Sequence, residues 1–161
     1  MERVNLSASR VVVLGAGGAA RAAVYGLRAR GASVCVVARN SEKARILAGR
    51  FAADSASWSE LPRLRWNLLV NATPAGMYPN VEESPIPPDW LTGECVYDLI
   101  YNPARTRLLA DAERRGCKTI EGGEMFLGQA LLQELLWFGQ PGPEGAMREA
   151  LRDALQAHAD R

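Results

Sequence analysis

Residues 11–21 read VVVLGAGGAAR, a β-branched run that breaks into glycines and resumes as an alanine-rich run. Few folds accommodate that order. RVVVLG is a short apolar strand closed by glycine, of the kind buried on both faces. Gly18 to Arg30 is rich in Ala, Leu and Arg, which favours a helix, and it stops at Gly31. The chain must therefore pass from strand through a tight turn into a helix. Gly15, Gly17 and Ala20 stand at the positions of a G-x-G-x-x-[G/A] pattern. Gly15 permits the turn, Gly17 lets a phosphate approach the backbone, and Ala20 lets the helix lie close to the strand. Free N–H groups of the helix start, together with its dipole, attract an anion.

The pattern of strand then helix continues. SVCVVAR (33–39) is a second strand, followed by EKARILAGRF (42–51), a helix for which Ser41 is the expected N-cap. Residues 52–66 allow both a short strand and a helical turn at WSELP. NLLVNAT (67–73) is a further apolar strand and leads into PAGMYPNVEESPIPPD (74–89). Four of the nine prolines follow Pro74 in that stretch, so it is a loop. ECVYDLIY (94–101) and KTIEG (118–122) are strands on either side of a helix over Thr106–Arg115. Two helices close the chain, Glu124–Phe138 and one opened by Pro143. Alternation of this kind predicts an α/β fold: a doubly wound Rossmann-type parallel sheet with helices on both faces and C-terminal helices, formed by residues 1–161 as one domain.

Composition narrows the function class. Nineteen basic and eighteen acidic residues nearly cancel, which gives no reason to expect nucleic acid or an anionic membrane as partner. No apolar run is long enough to span a membrane, and MERVNLSASR has no apolar signal core. Cys35, Cys95 and Cys117 are scattered without CxxC spacing, so they are expected to be buried free thiols in a reducing, cytoplasmic setting. His158 is the only histidine, and no clustered metal ligands are present.

The strand–loop–helix context makes the glycine pattern a dinucleotide site, with Gly15, Ala16, Gly17, Gly18 and Ala19 at the pyrophosphate. An NAD site places an acid about 20 residues on, at the tip of the second strand. Here the tip reads Ala38-Arg39-Asn40, with Lys43 one helical turn beyond Arg39. An acid would repel a 2′-phosphate, whereas a guanidinium matches it in a bidentate fork. The expected cofactor is NADP.

More specific strings follow: NATPAGM (71–77), VYDLIYNPARTRLL (96–109), EGGEMFLGQA (121–130) and LLWFGQ (135–140). Together with GAGGAARA (15–22) and ARNSEKA (38–44), their order and spacing resemble the C-terminal, NADP-binding half of the shikimate dehydrogenase family. The resemblance implies NADPH-dependent, reversible reduction of 3-dehydroshikimate to shikimate. It carries the family's Asn-Arg-Thr onto Ala38, Arg39 and Asn40, keeping the arginine but not the flanking amide and hydroxyl. It places Thr73 beside the cofactor, with Pro74 where the family has serine. It also implies that Leu99 lines the nicotinamide pocket, that the Gly122 carbonyl reaches the carboxamide, and that Tyr101 and Gln129 touch the substrate. Met125 and Phe126 are expected to be packing residues.

The resemblance further implies an N-terminal domain that binds most of the substrate and carries a catalytic Lys–Asp pair. No Asn-Thr-Asp segment precedes the glycine loop, so no catalytic residue is expected in this chain and the chain alone is expected to be inactive. Helices from about residue 124 to 161 would pack on that domain. Leu131, Leu135, Leu136, Trp137 and Phe138 would then be partly exposed here and could mediate self-association. The sequence leaves three readings open: a cut or split piece of a shikimate dehydrogenase, a stand-alone NADP-binding module without turnover, or a relative acting on quinate or of the glutamyl-tRNA reductase kind.

Overall fold

In a computed structural model, which describes residues 5–159 and the side chains of 5–157, six strands form one parallel sheet in the order β3-β2-β1-β4-β5-β6. The strands are β1 (Arg10–Leu14), β2 (Ser33–Val37), β3 (Asp54–Ala56), β4 (Leu68–Asn71), β5 (Cys95–Asp98) and β6 (Lys118–Ile120). The helices are α1 (Gly18–Ala29), α2 (Ser41–Arg50), α3 (Arg107–Arg114), α4 (Gly122–Phe138) and α5 (Glu144–Ala159). The outer ends of the expected 1–161 domain and the His158 side chain lie outside the described residues.

Period-two alternation sorts the strand side chains onto two faces. Val11, Val13, Val34, Val36, Leu68 and Val70 face one layer and pack with Ala20 and Val24 of α1 and Ala44, Leu47 and Ala48 of α2. Val12, Leu14, Val37, Leu69 and Val96 face the other and pack with Leu108, Leu109 and Ala112 of α3. Trp66, Ile86 and Leu91 complete that second core. The long loop thus contributes Ile86 to the interior, and a short 3-10 turn over Pro88–Trp90 follows it.

Local differences from the sequence reading have physical causes. Asn40, not Ser41, caps α2: its side-chain oxygen accepts from the Lys43 N–H at 2.9 Å. Both residue types cap well, and they are adjacent. Thr106 likewise caps α3 by accepting from the Leu109 N–H, so that helix begins at Arg107. Residues 52–66 contain both of the alternatives, the strand β3 and a 3-10 turn over Leu61–Arg63. α4 begins at Gly122 rather than Glu124.

α4 and α5 pack on each other and contribute little to the two cores. In α4 only Gly122 and Leu127 are fully buried. Leu136, Trp137 and Phe138 are 81%, 70% and 65% exposed, and Leu132 and Leu135 are also exposed. Leu131 is half-buried. The apolar end of α4 therefore stays largely uncovered, as the sequence led us to expect. None of the three cysteines is in a disulfide; Cys95 and Cys117 are buried and Cys35 is half-buried. No helix among the described residues is long and apolar enough to cross a membrane.

Candidate functional site

The order 3-2-1-4-5-6 reverses direction between β1 and β4, and ligands of such sheets bind at the carboxyl ends beside that reversal. There the strand tips are stitched level. Gly15 donates to the Val37 carbonyl at 2.8 Å, Ala72 to Leu14 at 2.9 Å and Leu99 to Asn71 at 3.0 Å. Four loops therefore leave the sheet at one height, and they carry most of the expected site residues.

The glycine loop behaves as its sequence requires. Gly15 has φ +110°, and a Cβ there would come within 2.8 Å of the Ala72 carbonyl oxygen. Only glycine meets both conditions. Gly17 is the N-cap residue of α1 and supplies no side-chain cap. A Cβ at Gly17 or Gly18 would meet nothing within 4 Å, so these positions are bare for a reason other than crowding within the chain. Gly17, Gly18 and Ala19 are exposed and Ala16 is half-buried, while Ala20 is fully buried and seats the helix on the sheet. An uncapped helix start with open space before it fits a bound pyrophosphate.

At the tip of β2, Ala38 is buried against the core and Arg39 is exposed. Asn40 spends its side-chain oxygen on the helix cap, which leaves its amide nitrogen for a ligand. Lys43 is exposed one turn further on. Neither Arg39 nor Lys43 forms an ion pair or a side-chain hydrogen bond among the described residues.

The tips of β4 and β5 are joined by a network that the sequence did not reveal. Asp98 is fully buried, and its carboxylate accepts from the Asn71 amide at 2.9 Å, the Ile100 N–H at 3.1 Å and the Thr106 hydroxyl at 2.7 Å. Asn71 is equally buried, and its oxygen accepts from the Thr73 N–H at 3.0 Å and the Thr73 hydroxyl at 2.7 Å. Burial pushes the Asp98 carboxyl above its ordinary range, opposed by the three hydrogen bonds. This network fixes Thr73 on one side and the Leu99–Tyr101 turn on the other.

Leu99 is half-buried, with its side chain against the core at the end of β5. Gly122 is buried so closely that a Cβ would lie 2.2 Å from the Ile100 carbonyl oxygen. Packing alone therefore demands glycine there. Tyr101 and Phe126 place their rings 4.7 Å apart at 38°, and both are partly exposed. Gln129, exposed, follows Phe126 by three residues on α4 and so lies on the same side of the helix. Phe126, expected to be a packing residue, thus stacks on Tyr101 while keeping part of its ring exposed. A cavity of about 640 Å³ lies elsewhere, between α5 and the loop around Asn102–Arg105. None of the expected site residues lines it.

Comparison with known sequences now bears on this arrangement. The family profile described as Shikimate / quinate 5-dehydrogenase matches residues 1–73, and that described as Shikimate 5'-dehydrogenase C-terminal domain matches residues 122–152. The chain belongs to the shikimate dehydrogenase family. It is 43% identical over 162 residues to a shikimate dehydrogenase (NADP(+)) of Moorella thermoacetica, covering 92% of this chain and 54% of that relative. The chorismate mutase/shikimate 5-dehydrogenase fusion protein of Clostridium acetobutylicum superposes with a TM-score of 0.87 at 34% identity, covering 96% of this chain and 58% of that one. The shikimate 5-dehydrogenase of Thermus thermophilus, solved in complex with NADP(H) and shikimate, gives 0.85 at 35% identity, covering 94% and 57%. The chain spans about half the length of the shikimate dehydrogenase relatives it matches.

Proposed function

We propose that this chain is the NADP-binding part of a shikimate dehydrogenase, which reduces 3-dehydroshikimate reversibly to shikimate at the expense of NADPH. The observation that carries the reading is the charge at the tip of β2: unpaired Arg39 and Lys43 beside an uncapped, glycine-opened helix. A cofactor with a 2′-phosphate fits that pair, and one with a bare ribose leaves it without a partner. The names of the relatives, shikimate dehydrogenases acting with NADP(+), support the same cofactor and substrate.

On this reading the backbone from Gly15 to Ala19 holds the pyrophosphate. Arg39 and Lys43 hold the 2′-phosphate, with Ala38 and the Asn40 amide beside the adenosine. Thr73, Leu99 and the Gly122 carbonyl bound the nicotinamide, and Tyr101 and Gln129 contact the substrate. When bound, the nicotinamide supplies the hydride chemistry. Each hydride transfer to a ketone also needs a proton. The reading assigns that proton, and most of the substrate contacts, to a second domain of the length by which the relatives exceed this chain. The uncovered apolar end of α4 is its docking face, and in its absence a site of self-association. Three cysteines outside any disulfide suit a cytoplasmic enzyme.

Calorimetric titration with NADP and NAD, followed by a shikimate oxidation assay with and without an added N-terminal domain, tests the reading. NADP is expected to bind more tightly, and turnover is expected only on complementation. Arg39→Asp is expected to weaken NADP roughly ten- to a hundredfold, the scale of a charge-assisted hydrogen bond. Equal affinity for the two cofactors would refute the cofactor assignment. Robust turnover by the chain alone would refute the assignment of the proton.

A further inference from the structure

A shallow depression opens beside the glycine loop on the side away from β4. It is lined by Ala16, Gly17, Ile46 and Leu47 and by three cations, Arg21, Lys43 and Arg50. The sequence pattern explains the convergence. Arg21 follows Gly17 by four residues, one turn into α1, and its N–H donates to the Gly17 carbonyl at 3.0 Å. On α2, Lys43, Ile46 and Arg50 recur at helical spacing, so they share one side of that helix. Buried Ala44, Leu47 and Ala48 hold α2 on the sheet and thereby aim this side at α1.

Charge in the neighbourhood is not balanced within the chain. On α2 the acid Glu42 is committed to Arg45, with bonds at 2.7 and 2.9 Å. Elsewhere Arg107 and Arg148 are likewise held by carboxylates. Arg21, Lys43 and Arg50 have no ion pair or side-chain hydrogen bond among the described residues. Three cations of like sign around one depression repel one another unless an anion sits between them. Ile46, a large apolar side chain left 46% exposed, lines the same depression, and an apolar wall lessens the screening of that charge.

We infer that Arg21 and Arg50 complete the 2′-phosphate site, so that the phosphate is flanked by Arg39 at the tip of β2 and by an Arg21–Lys43–Arg50 rim at the α1–α2 groove. The inference rests on the NADP reading above. Lys43 belongs to both sides and joins them. The pyrophosphate does not need this rim, because the helix N–H groups at Gly17–Ala19 already face it. A dianion on the ribose is what the additional cations match. Arg21, beside the loop, makes the direct contact. Arg50, two helical turns beyond Lys43, acts chiefly through its field.

The test is calorimetric titration of the wild-type chain and of Arg21→Ala and Arg50→Ala with three probes, NADP, NAD and adenosine 2′-monophosphate. Arg21→Ala is expected to weaken NADP and adenosine 2′-monophosphate about tenfold, the lower end for an exposed charged contact, and to leave NAD unchanged. Arg50→Ala is expected to cost a smaller factor that shrinks as salt is added. If the wild type prefers NADP and both variants keep its full NADP/NAD ratio, the rim is not part of the site. If a variant weakens NADP and NAD equally, the rim serves the pyrophosphate and the inference fails. A wild type without cofactor preference would overturn the NADP reading and this inference with it.

Discussion

Replacing Asp98 by alanine removes three acceptor contacts at the point where β4, β5 and α3 meet. Two of the donors are buried and have nowhere else to turn. The Asn71 amide, at 2.9 Å, sits on a fully buried residue, and the Ile100 N–H, at 3.1 Å, lies just beyond the end of β5. Leaving a buried donor unsatisfied costs about 1–3 kcal/mol, so the pair amounts to about 2–6 kcal/mol. The third donor, the Thr106 hydroxyl at 2.7 Å, can rotate, and it still accepts from the Leu109 N–H at the α3 cap. Against this loss stands relief from burying a carboxylate. A net loss near 3 kcal/mol is expected for Asp98→Ala, a large share of the stability of a domain this size. Asp98→Asn is different. Its oxygen can still accept from Asn71 and Ile100, and only the Thr106 contact must reverse. It is expected to stay within about 1 kcal/mol of wild type near neutral pH.

The pH dependence makes the reasoning sharper. Burial raises the Asp98 carboxyl above its ordinary value of 3.8. The folded state therefore binds this proton more tightly than the unfolded state. The contribution to stability is fully present below pH 4 and is lost as pH rises through the raised value. Most paired carboxylates act in the opposite sense. Urea unfolding of wild type and Asp98→Asn in steps from pH 4 to 8 reads this out: the asparagine variant should gain on wild type as pH rises. If it falls behind instead, the hydrogen bonds outweigh burial and the assignment is reversed. If Asp98→Ala unfolds at the wild-type urea concentration, the network does not hold the strand tips together.

Gly15→Ala is expected to destabilise the fold by about 1–3 kcal/mol from backbone strain alone, before its clash with the Ala72 carbonyl, and thermal unfolding measures the loss. Gly17→Ala meets nothing within 4 Å and should melt near wild type, yet lose nucleotide affinity because its methyl occupies the phosphate approach. Loss of stability without loss of binding would invert these roles. Burial, with the Asp54 and Glu60 carboxylates nearby, pushes the Cys35 thiol up to about 11, so its alkylation at pH 8 should run far slower than that of a free thiol; rapid labelling in the folded state would contradict this. Leu136→Glu with Trp137→Glu should reduce concentration-dependent self-association in sedimentation while leaving the urea midpoint unchanged, since both side chains are uncovered in the fold.

The sequence was informative where one short segment carries the whole constraint. The β-branched run, the two glycines and Ala20 are consecutive in chain and in space, so the turn, the close helix and the open phosphate approach could be read together. Arg39 and Lys43 were legible for the same reason: they are four residues apart, one just past the end of β2 and the other in the first turn of α2. Gly122 was read for its carbonyl, but its bare Cα is demanded by the Ile100 backbone, from a strand end 22 residues earlier. Asn71, Asp98 and Thr106 are separated by 27 and 8 residues, and nothing in NATPAGM or VYDLIY says that their side chains meet.

The same distinction explains the cations of the α1–α2 groove. Arg21 and Arg50 each look like a solvated charge on its own helix, because helical periodicity assigns a side of one element and says nothing of a neighbour. Their convergence is created by the small residues that lower both helices onto the sheet, Ala20 on α1 and Ala44 and Ala48 on α2. Small residues at these contacts therefore do more than fill the core. They set how near two positive helix faces approach, and through that distance the strength of the field an anion meets. Enlarging Ala44 to valine is expected to shift α2 outward and reduce the NADP/NAD ratio without altering any charge. A ratio unchanged in a folded Ala44→Val chain would show that the groove spacing has no part in cofactor choice.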